Sequence, residues 1–203
     1  MGKKRIAVVF DFDGTLIDSR NIKKKNYVKA FEEIFNTGEA NREIIEESFE
    51  RTAGASRFFQ LSHTLSALNI QAKDEEKQRW SNVYSSINKK ELKQLSEFPS
   101  VRKVLDQLGK NGYELFLTSG VPYEELIHEI EIRGLREYFK EINGGGKSKF
   151  LKEIKRKGFD HILLIGDTDY DKKTAEDAGA LFYKVESDKE ISALPDFLLF
   201  LSK

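Results

Sequence analysis

The stretch that decides the fold is Val8-Val9-Phe10-Asp11-Phe12-Asp13-Gly14-Thr15-Leu16, in which an apolar run ends abruptly in two aspartates and a glycine. The apolar residues from Ile6 to Phe10 predict a buried strand, because parallel strands covered on both faces are continuously hydrophobic. Carboxylates at the carboxyl end of such a strand lie where open α/β sheets place their active sites. Alternate side chains of an extended chain point to the same side, so we expect Asp11 and Asp13 to face one ligand.

This stretch resembles the first signature of the haloacid dehalogenase superfamily, whose phosphatases carry Asp-x-Asp-Gly-Thr/Val. Three more stretches fit the remaining signatures of that family, in the expected order: Leu115-Phe116-Leu117-Thr118-Ser119-Gly120, then Lys147, then Ile165-Gly166-Asp167-Thr168-Asp169-Tyr170-Asp171. Together the four span almost the whole chain. The sequence looks closest to the branch that holds phosphoglycolate phosphatase and β-phosphoglucomutase.

Composition narrows the class of protein. The 203 residues carry no net charge, which gives no electrostatic footprint for nucleic acid or an anionic membrane. The absence of cysteine excludes disulfides, thiolate metal sites and cysteine nucleophiles. No apolar stretch reaches transmembrane length, and the run after the basic start is too short for a signal peptide. We therefore expect a cytoplasmic protein that binds neither nucleic acid nor membrane; the sequence predicts no oligomeric state.

The apolar pattern changes twice along the chain, which indicates an inserted segment. Residues 1–17 predict a strand and a turn, residues 18–96 predict four or five amphipathic helices, and residues 97–203 alternate helix and strand. Alternation of helix and strand is typical of a parallel sheet. We predict an α/β fold in which a Rossmann-like parallel-sheet core, 1–17 and 97–203, carries an all-helical cap, 18–96. The family resemblance implies the same arrangement.

Further expectations concern local features of the chain. Residues 139–142 are expected to form a short strand, and Gly144-Gly145-Gly146 a flexible joint. A short helix is expected to close the chain from Pro195 to Leu201. The three histidines have no ligand spacing and are expected to be structural or exposed: His63, His128 and His161.

The resemblance implies roles for the first two aspartates. Asp11 would be the nucleophile that forms an aspartyl phosphate, and Asp13 the general acid and base. Asp13 also argues against dehalogenase chemistry, because a halide leaving group needs no proton. The alternative is that Asp13-Gly14 is only a turn dipeptide.

The resemblance also implies a magnesium ion, which prefers oxygen ligands in octahedral geometry. Its ligands would be Asp11, Asp13 through the backbone carbonyl, and Asp167. Asp171 would act through water or by orienting the lysine, and Asp169 would lie outside the first shell. The alternative for this last signature is a loop with a helix N-cap; Asp171 could cap the helix and still serve the site.

Phosphate contacts are implied at the second and third signatures. The Thr118 hydroxyl and the backbone amides of Ser119 and Gly120 could hold phosphate oxygens, although the same residues could form only a turn. A lysine would offset the charge of the phosphate and carboxylates. The family pattern, with the lysine three residues before the apolar pair of a helix, selects Lys147; Lys149 is the alternative.

In the expected cap, Arg57 could meet an anionic group of the substrate. The alternative is a surface arginine at a helix start. Phe58 and Phe59 are adjacent, so both cannot face one core. If Arg57 is not the specificity determinant, we expect it among these phenylalanines and the helix around Tyr27 and Phe31.

These features together predict a magnesium-dependent phosphatase that hydrolyses a small phosphorylated metabolite. The expectation of a small substrate follows from the cap, because a cap that closes over a cleft leaves little room for a protein. One alternative is a phosphomutase on the same scaffold, which would return the phosphate to a sugar. The other is a non-catalytic phosphate-binding module, against which the aspartate nucleophile argues.

Overall fold

The computed structural model describes residues 4–202, and within them five strands form one parallel sheet. The strands follow the order β3-β2-β1-β4-β5, so the first strand of the chain lies at the centre. The strands are β1 (Ile6–Phe10), β2 (Glu114–Ser119), β3 (Glu141–Gly144), β4 (His161–Gly166) and β5 (Leu181–Lys184). All four pairings are parallel, so the carboxyl ends of the strands meet at one edge of the sheet.

The helices fall into two groups along the chain. The first four are α1 (Arg20–Phe35), α2 (Arg42–Thr52), α3 (Arg57–Ala67) and α4 (Asp74–Glu91). The remainder alternate with strands: α5 (Val101–Lys110), α6 (Tyr123–Ile132), α7 (Lys147–Lys155), α8 (Asp169–Ala178) and α9 (Asp188–Leu201). None of the helices in the described part of the chain is long and apolar enough to cross a membrane.

Strand β1 is buried on both faces, and its side chains alternate between two apolar clusters. Ile6, Val8 and Phe10 belong to a cluster that includes residues of α5, α6 and α9. Ala7 and Val9 belong to the opposite cluster, with residues of α7 and α8. A central strand that is covered on both faces needs a continuous apolar run, which explains the apolar residues from Ile6 to Phe10. The predicted α/β fold with a parallel sheet is confirmed.

The chain forms two compact units. One contains the residues up to Asp18 and those from Ser96 onward, and the other is Ser19–Leu95. The helical unit has its own core, in which the Tyr27 ring lies 5.1 Å from that of Trp80 and its hydroxyl 2.8 Å from the Thr64 hydroxyl. The roles of the two units, a catalytic core and a cap, stay a prediction.

Two local expectations need correction. The third strand runs over Glu141–Gly144, two residues later than expected, and so includes Asn143. The last helix starts at Asp188, well before Pro195, because Ser187 and Glu190 form a capping box that begins the helix there. Pro195 lies inside this helix, where its missing N–H removes one backbone hydrogen bond.

Candidate active site

A tight loop that carries both aspartates follows β1 at the carboxyl edge of the sheet. The Asp11 amide donates to the Ile165 carbonyl at 2.8 Å, which extends the pairing with β4 by one residue. The Phe12 carbonyl accepts the Leu16 amide at 2.8 Å and closes the turn. Gly14 adopts φ +75°, a left-handed conformation that favours glycine.

A buried lysine lies against the first of these aspartates. The Lys147 ammonium is 2.9 Å from Asp11 Oδ1 and 2.5 Å from Asp171 Oδ1, and only 2% of the residue is exposed. Burial lowers the pKa of Lys147, but the carboxylates of Asp11 and Asp171 outweigh this effect and raise it above its ordinary value. The lysine is therefore a fixed cation between the first and last signatures.

The alternative lysine lies elsewhere. The Lys149 side chain is 89% exposed, and its ammonium is 3.9 Å from Glu153 on the same helix. Helix α7 begins at Lys147, so the two lysines project from different sides of its first turn. Of the two, the structure brings Lys147 to Asp11.

The two carboxylate oxygens of Asp171 contact different groups. Its Oδ1 faces Lys147, while its Oδ2 accepts from the Thr168 amide at 3.2 Å and from the Thr168 hydroxyl at 2.6 Å. Thr168 in turn caps α8 by accepting from the Asp171 amide. The expected helix N-cap is present, and the same aspartate also contacts Lys147. That Asp171 serves a catalytic site stays a prediction. Asp169, two residues earlier, is exposed.

Asp167 completes a cluster of carboxylates. Oxygens of Asp11, Asp167 and Asp171 lie within 4.8 Å of one another, and no histidine joins this group among the described residues. A Cβ placed on Gly14 would lie 2.3 Å from Asp167 Oδ2, so only glycine lets this carboxylate lie against the loop after β1.

The charge of this cluster suits a cation. Burial raises the pKa of Asp11 well above its ordinary value; Lys147 opposes the rise, and the carboxylates of Asp171, Asp167 and Asp13 add to it. The single positive charge of Lys147 cannot balance the negative charges of these carboxylates. The all-oxygen donor set, with the cradle at Gly14, fits a hard divalent ion such as Mg²⁺. Because both oxygens of Asp171 face donors, Asp11 and Asp167 are the better candidates for direct ligands.

Thr118 lies next to Asp11 on the neighbouring strand. The register pairs Phe10, the last residue of β1, with Leu117 of β2, and Asp11 and Thr118 come directly after these two residues. Thr118 is fully buried, and its Oγ1 accepts from Asn143 Nδ2 at 3.2 Å. Sequence reasoning missed Asn143; the polar residue before a run of three glycines was the only signal that could have found it.

The glycine run after Asn143 is not a flexible joint. A Cβ on Gly144 would lie 2.4 Å from the Tyr123 Cα, because the chain after Ser119 packs directly on it. The Gly145 amide donates to the carbonyls of Ser119 at 3.0 Å and Val121 at 2.8 Å. The run therefore supports the loop that carries Ser119 and Gly120.

Arg57 lies in the helical unit and is not a surface residue. It is 6% exposed, donates to the Ser81 hydroxyl at 3.3 Å and to the Ser85 hydroxyl at 2.6 Å, and lies over the Tyr84 ring at 5.2 Å. Through these contacts Arg57 of α3 packs against α4 within the helical unit. Its predicted contact with substrate stays a prediction. Phe58 and Phe59 are both largely exposed, whereas Tyr27 and Phe31 are buried.

The chain is similar in sequence to known proteins. The family described as haloacid dehalogenase-like hydrolase matches residues 8–185. Pyrophosphatase PpaX from Bacillus velezensis is 24% identical over 216 aligned residues, which cover 98% of this chain and 94% of that protein. A phosphoglycolate phosphatase from Rhodobacter capsulatus is 30% identical over 93 residues, or 42% of each chain.

Solved structures of other proteins have a similar fold. A solved structure of a hydrolase from Pseudomonas syringae covers 97% of this chain and 99% of its own, with a TM-score of 0.75 at 20% identity. At that identity the likeness shows the fold alone. The match to the family, which runs from β1 to the end of β5, shows that this chain belongs to the haloacid dehalogenase-like hydrolases.

Proposed function

We propose that this enzyme is a magnesium-dependent phosphatase that hydrolyses a small phosphomonoester through an aspartyl phosphate on Asp11. The observation that carries the proposal is the buried Lys147 ammonium, 2.9 Å from Asp11 Oδ1 and 2.5 Å from Asp171 Oδ1. A cation held beside a buried carboxylate offsets the charge that accumulates when that carboxylate meets a phosphate. A carboxylate that served only the fold would not need this arrangement at the edge of a sheet.

In the first step, an Asp11 oxygen attacks the phosphorus and forms a P–O bond while the ester P–O bond breaks. Asp13 gives its proton to the departing alcohol oxygen. Thr118, the amides of Ser119 and Gly120, and Lys147 hold the phosphoryl oxygens. In-line transfer requires positioning and charge stabilisation above all, which these groups supply.

In the second step, water attacks the phosphorus of the aspartyl phosphate and the bond to Asp11 breaks. Asp13 accepts the proton from the water, which regenerates the acid for the next cycle. The products are the alcohol and inorganic phosphate. Asp11, Asp167 and the Asp13 backbone carbonyl would hold a Mg²⁺ ion, whose charge would favour the ionised form of Asp11 and polarise the phosphoryl group.

The test is a screen for phosphate release with Mg²⁺ at neutral pH. The panel contains p-nitrophenyl phosphate, sugar phosphates, phosphoglycolate and pyrophosphate; the last two are included because of the names of the relatives. We expect release from at least one substrate, loss of it with a chelator, and no release by Asp11→Asn. Conversion of a sugar phosphate without free phosphate would instead favour a phosphomutase, and a wild-type protein that turns over nothing would contradict the proposal.

A further inference from the structure

Asn143 joins two of the signatures by hydrogen bonds. The register of β2 and β3 pairs it directly with Thr118, so the two side chains lie on the same face of the sheet. Its Nδ2 donates to Thr118 Oγ1 at 3.2 Å and to the Gly146 carbonyl at 2.6 Å. Gly146 immediately precedes Lys147.

The chemistry of these partners fixes which way the amide points. The Gly146 carbonyl can only accept a hydrogen bond, so the Asn143 atom that faces it must be the nitrogen. One N–H of that nitrogen goes to the carbonyl. The other goes to Thr118 Oγ1, which therefore acts as an acceptor in this bond.

This bond determines what the Thr118 hydroxyl can do. The residue is fully buried, and none of the described residues accepts its O–H. A hydroxyl has one donor hydrogen, and Asn143 cannot take it, since the amide donates in that direction. A buried donor without an acceptor is unfavourable, so a bound oxygen at this point would be stabilised.

We propose that Asn143 is a positioning residue: it fixes the Thr118 hydroxyl as a donor to a phosphoryl oxygen. Without Asn143 the hydroxyl could rotate, and its hydrogen would no longer be directed at the phosphoryl oxygen before substrate binds. Preorganised donors contribute most when their orientation is fixed before the reaction. The inference rests on the proposed phosphatase function, because it requires a phosphoryl group beside Thr118.

The test is a double-mutant cycle of Asn143→Ala and Thr118→Val, measured as kcat/KM for p-nitrophenyl phosphate. We expect Thr118→Val to lower kcat/KM roughly 100-fold, as for the loss of one preorganised donor. Asn143→Ala should lower it roughly 10-fold or more, as for an outer partner of a site residue. In the Thr118→Val background the same change should matter by less than about 2-fold, since its route of action is gone.

An equal factor for Asn143→Ala in both backgrounds would overturn the inference, because Asn143 would then act only by anchoring the loop at Gly146. Asn82→Ala, at an exposed asparagine of α4, is the control for removing a side-chain amide and should leave kcat/KM unchanged. If Asn143→Ala does not fold, Asn143→Ser replaces it, because the shorter side chain cannot span both partners.

Binding of inorganic phosphate, measured by calorimetry with Mg²⁺, separates this inference from the proposed function. Weaker phosphate binding by Asn143→Ala, absent in the Thr118→Val background, would support the inference even if no ester were hydrolysed. Wild-type turnover together with unchanged kinetics and phosphate binding in Asn143→Ala would overturn the inference and leave the phosphatase standing. A wild-type protein that neither binds phosphate nor hydrolyses esters would overturn both.

Discussion

Substitution of Gly14 by alanine is a direct test of how Asp167 is placed. The new Cβ would lie 2.3 Å from Asp167 Oδ2 and 2.6 Å from its Cγ. To reach an ordinary van der Waals separation the carboxylate must withdraw by about 1 Å. Alanine at φ +75° adds backbone strain of roughly 1–2 kcal/mol. Gly14→Ala should therefore disturb both stability and metal binding.

Gly158→Ala separates these two effects. Gly158 has φ +77°, and a Cβ there would meet nothing within 4 Å. Both variants should lose about 1–2 kcal/mol of unfolding free energy from the strain. Only Gly14→Ala should raise the Mg²⁺ concentration for half-maximal activity, by roughly 10–100-fold, the range seen when the support of a metal ligand is altered.

The assay is hydrolysis of p-nitrophenyl phosphate over a Mg²⁺ titration, with thermal unfolding measured on the same samples. The fall in melting temperature should be similar for the two variants, while the Mg²⁺ dependence should change in one of them. If Gly14→Ala had the same Mg²⁺ dependence and the same kcat as Gly158→Ala, Asp167 would not need its observed position, and its assignment as a metal ligand would be refuted.

Three further predictions concern other parts of the site and the helical unit. Lys147→Ala should remove most of the phosphatase activity and Lys149→Ala little, since only Lys147 contacts Asp11; equal kcat/KM values would contradict this. Asp13→Asn should impair hydrolysis of alkyl phosphates more than of p-nitrophenyl phosphate, whose leaving group needs no proton; burst kinetics that show equal losses in the first step would exclude acid catalysis there. Arg57→Ala should lower stability by about 1–3 kcal/mol, or roughly 2–4 °C of melting temperature per kcal/mol, because it removes the donor to the buried Ser81 hydroxyl and the partly buried Ser85 hydroxyl. The exposed Arg79→Ala in the same unit is the control, and equal melting temperatures would show that the Arg57 contacts do not stabilise the fold.

The sequence could predict those features that depend on local pattern. The apolar run of β1 is such a feature, because burial on both faces requires it. The cap formed by Thr168 and Asp171 is another, since the two residues are three apart in one chain segment. The resemblance to the family pattern, in which the lysine stands three residues before the apolar pair of a helix, also selected the lysine that the structure brings to Asp11.

Features that depend on pairing across the fold could not be predicted. Asn143 lies in a strand of four half-buried residues, which has no apolar run to mark it. Its partner Thr118 is set by the register between β2 and β3, 25 positions apart. Arg57 was ambiguous for the same reason, because the hydroxyls that bury it, Ser81 and Ser85, come from another helix.

The central place of β1 in the sheet has a consequence for synthesis of the protein. Arg5, just before β1, bonds to Asp160, 155 positions later, so the pairing with β4 waits until most of the chain exists. At about 5–20 residues per second, that wait is roughly 10–30 s. During this delay β1, the most apolar strand of the molecule, lacks its β4 partner. An unpaired apolar strand is a site for aggregation. A ribosome that paused within the helical segment would prolong the exposure, so the yield of soluble protein should depend on translation rate as well as on final stability.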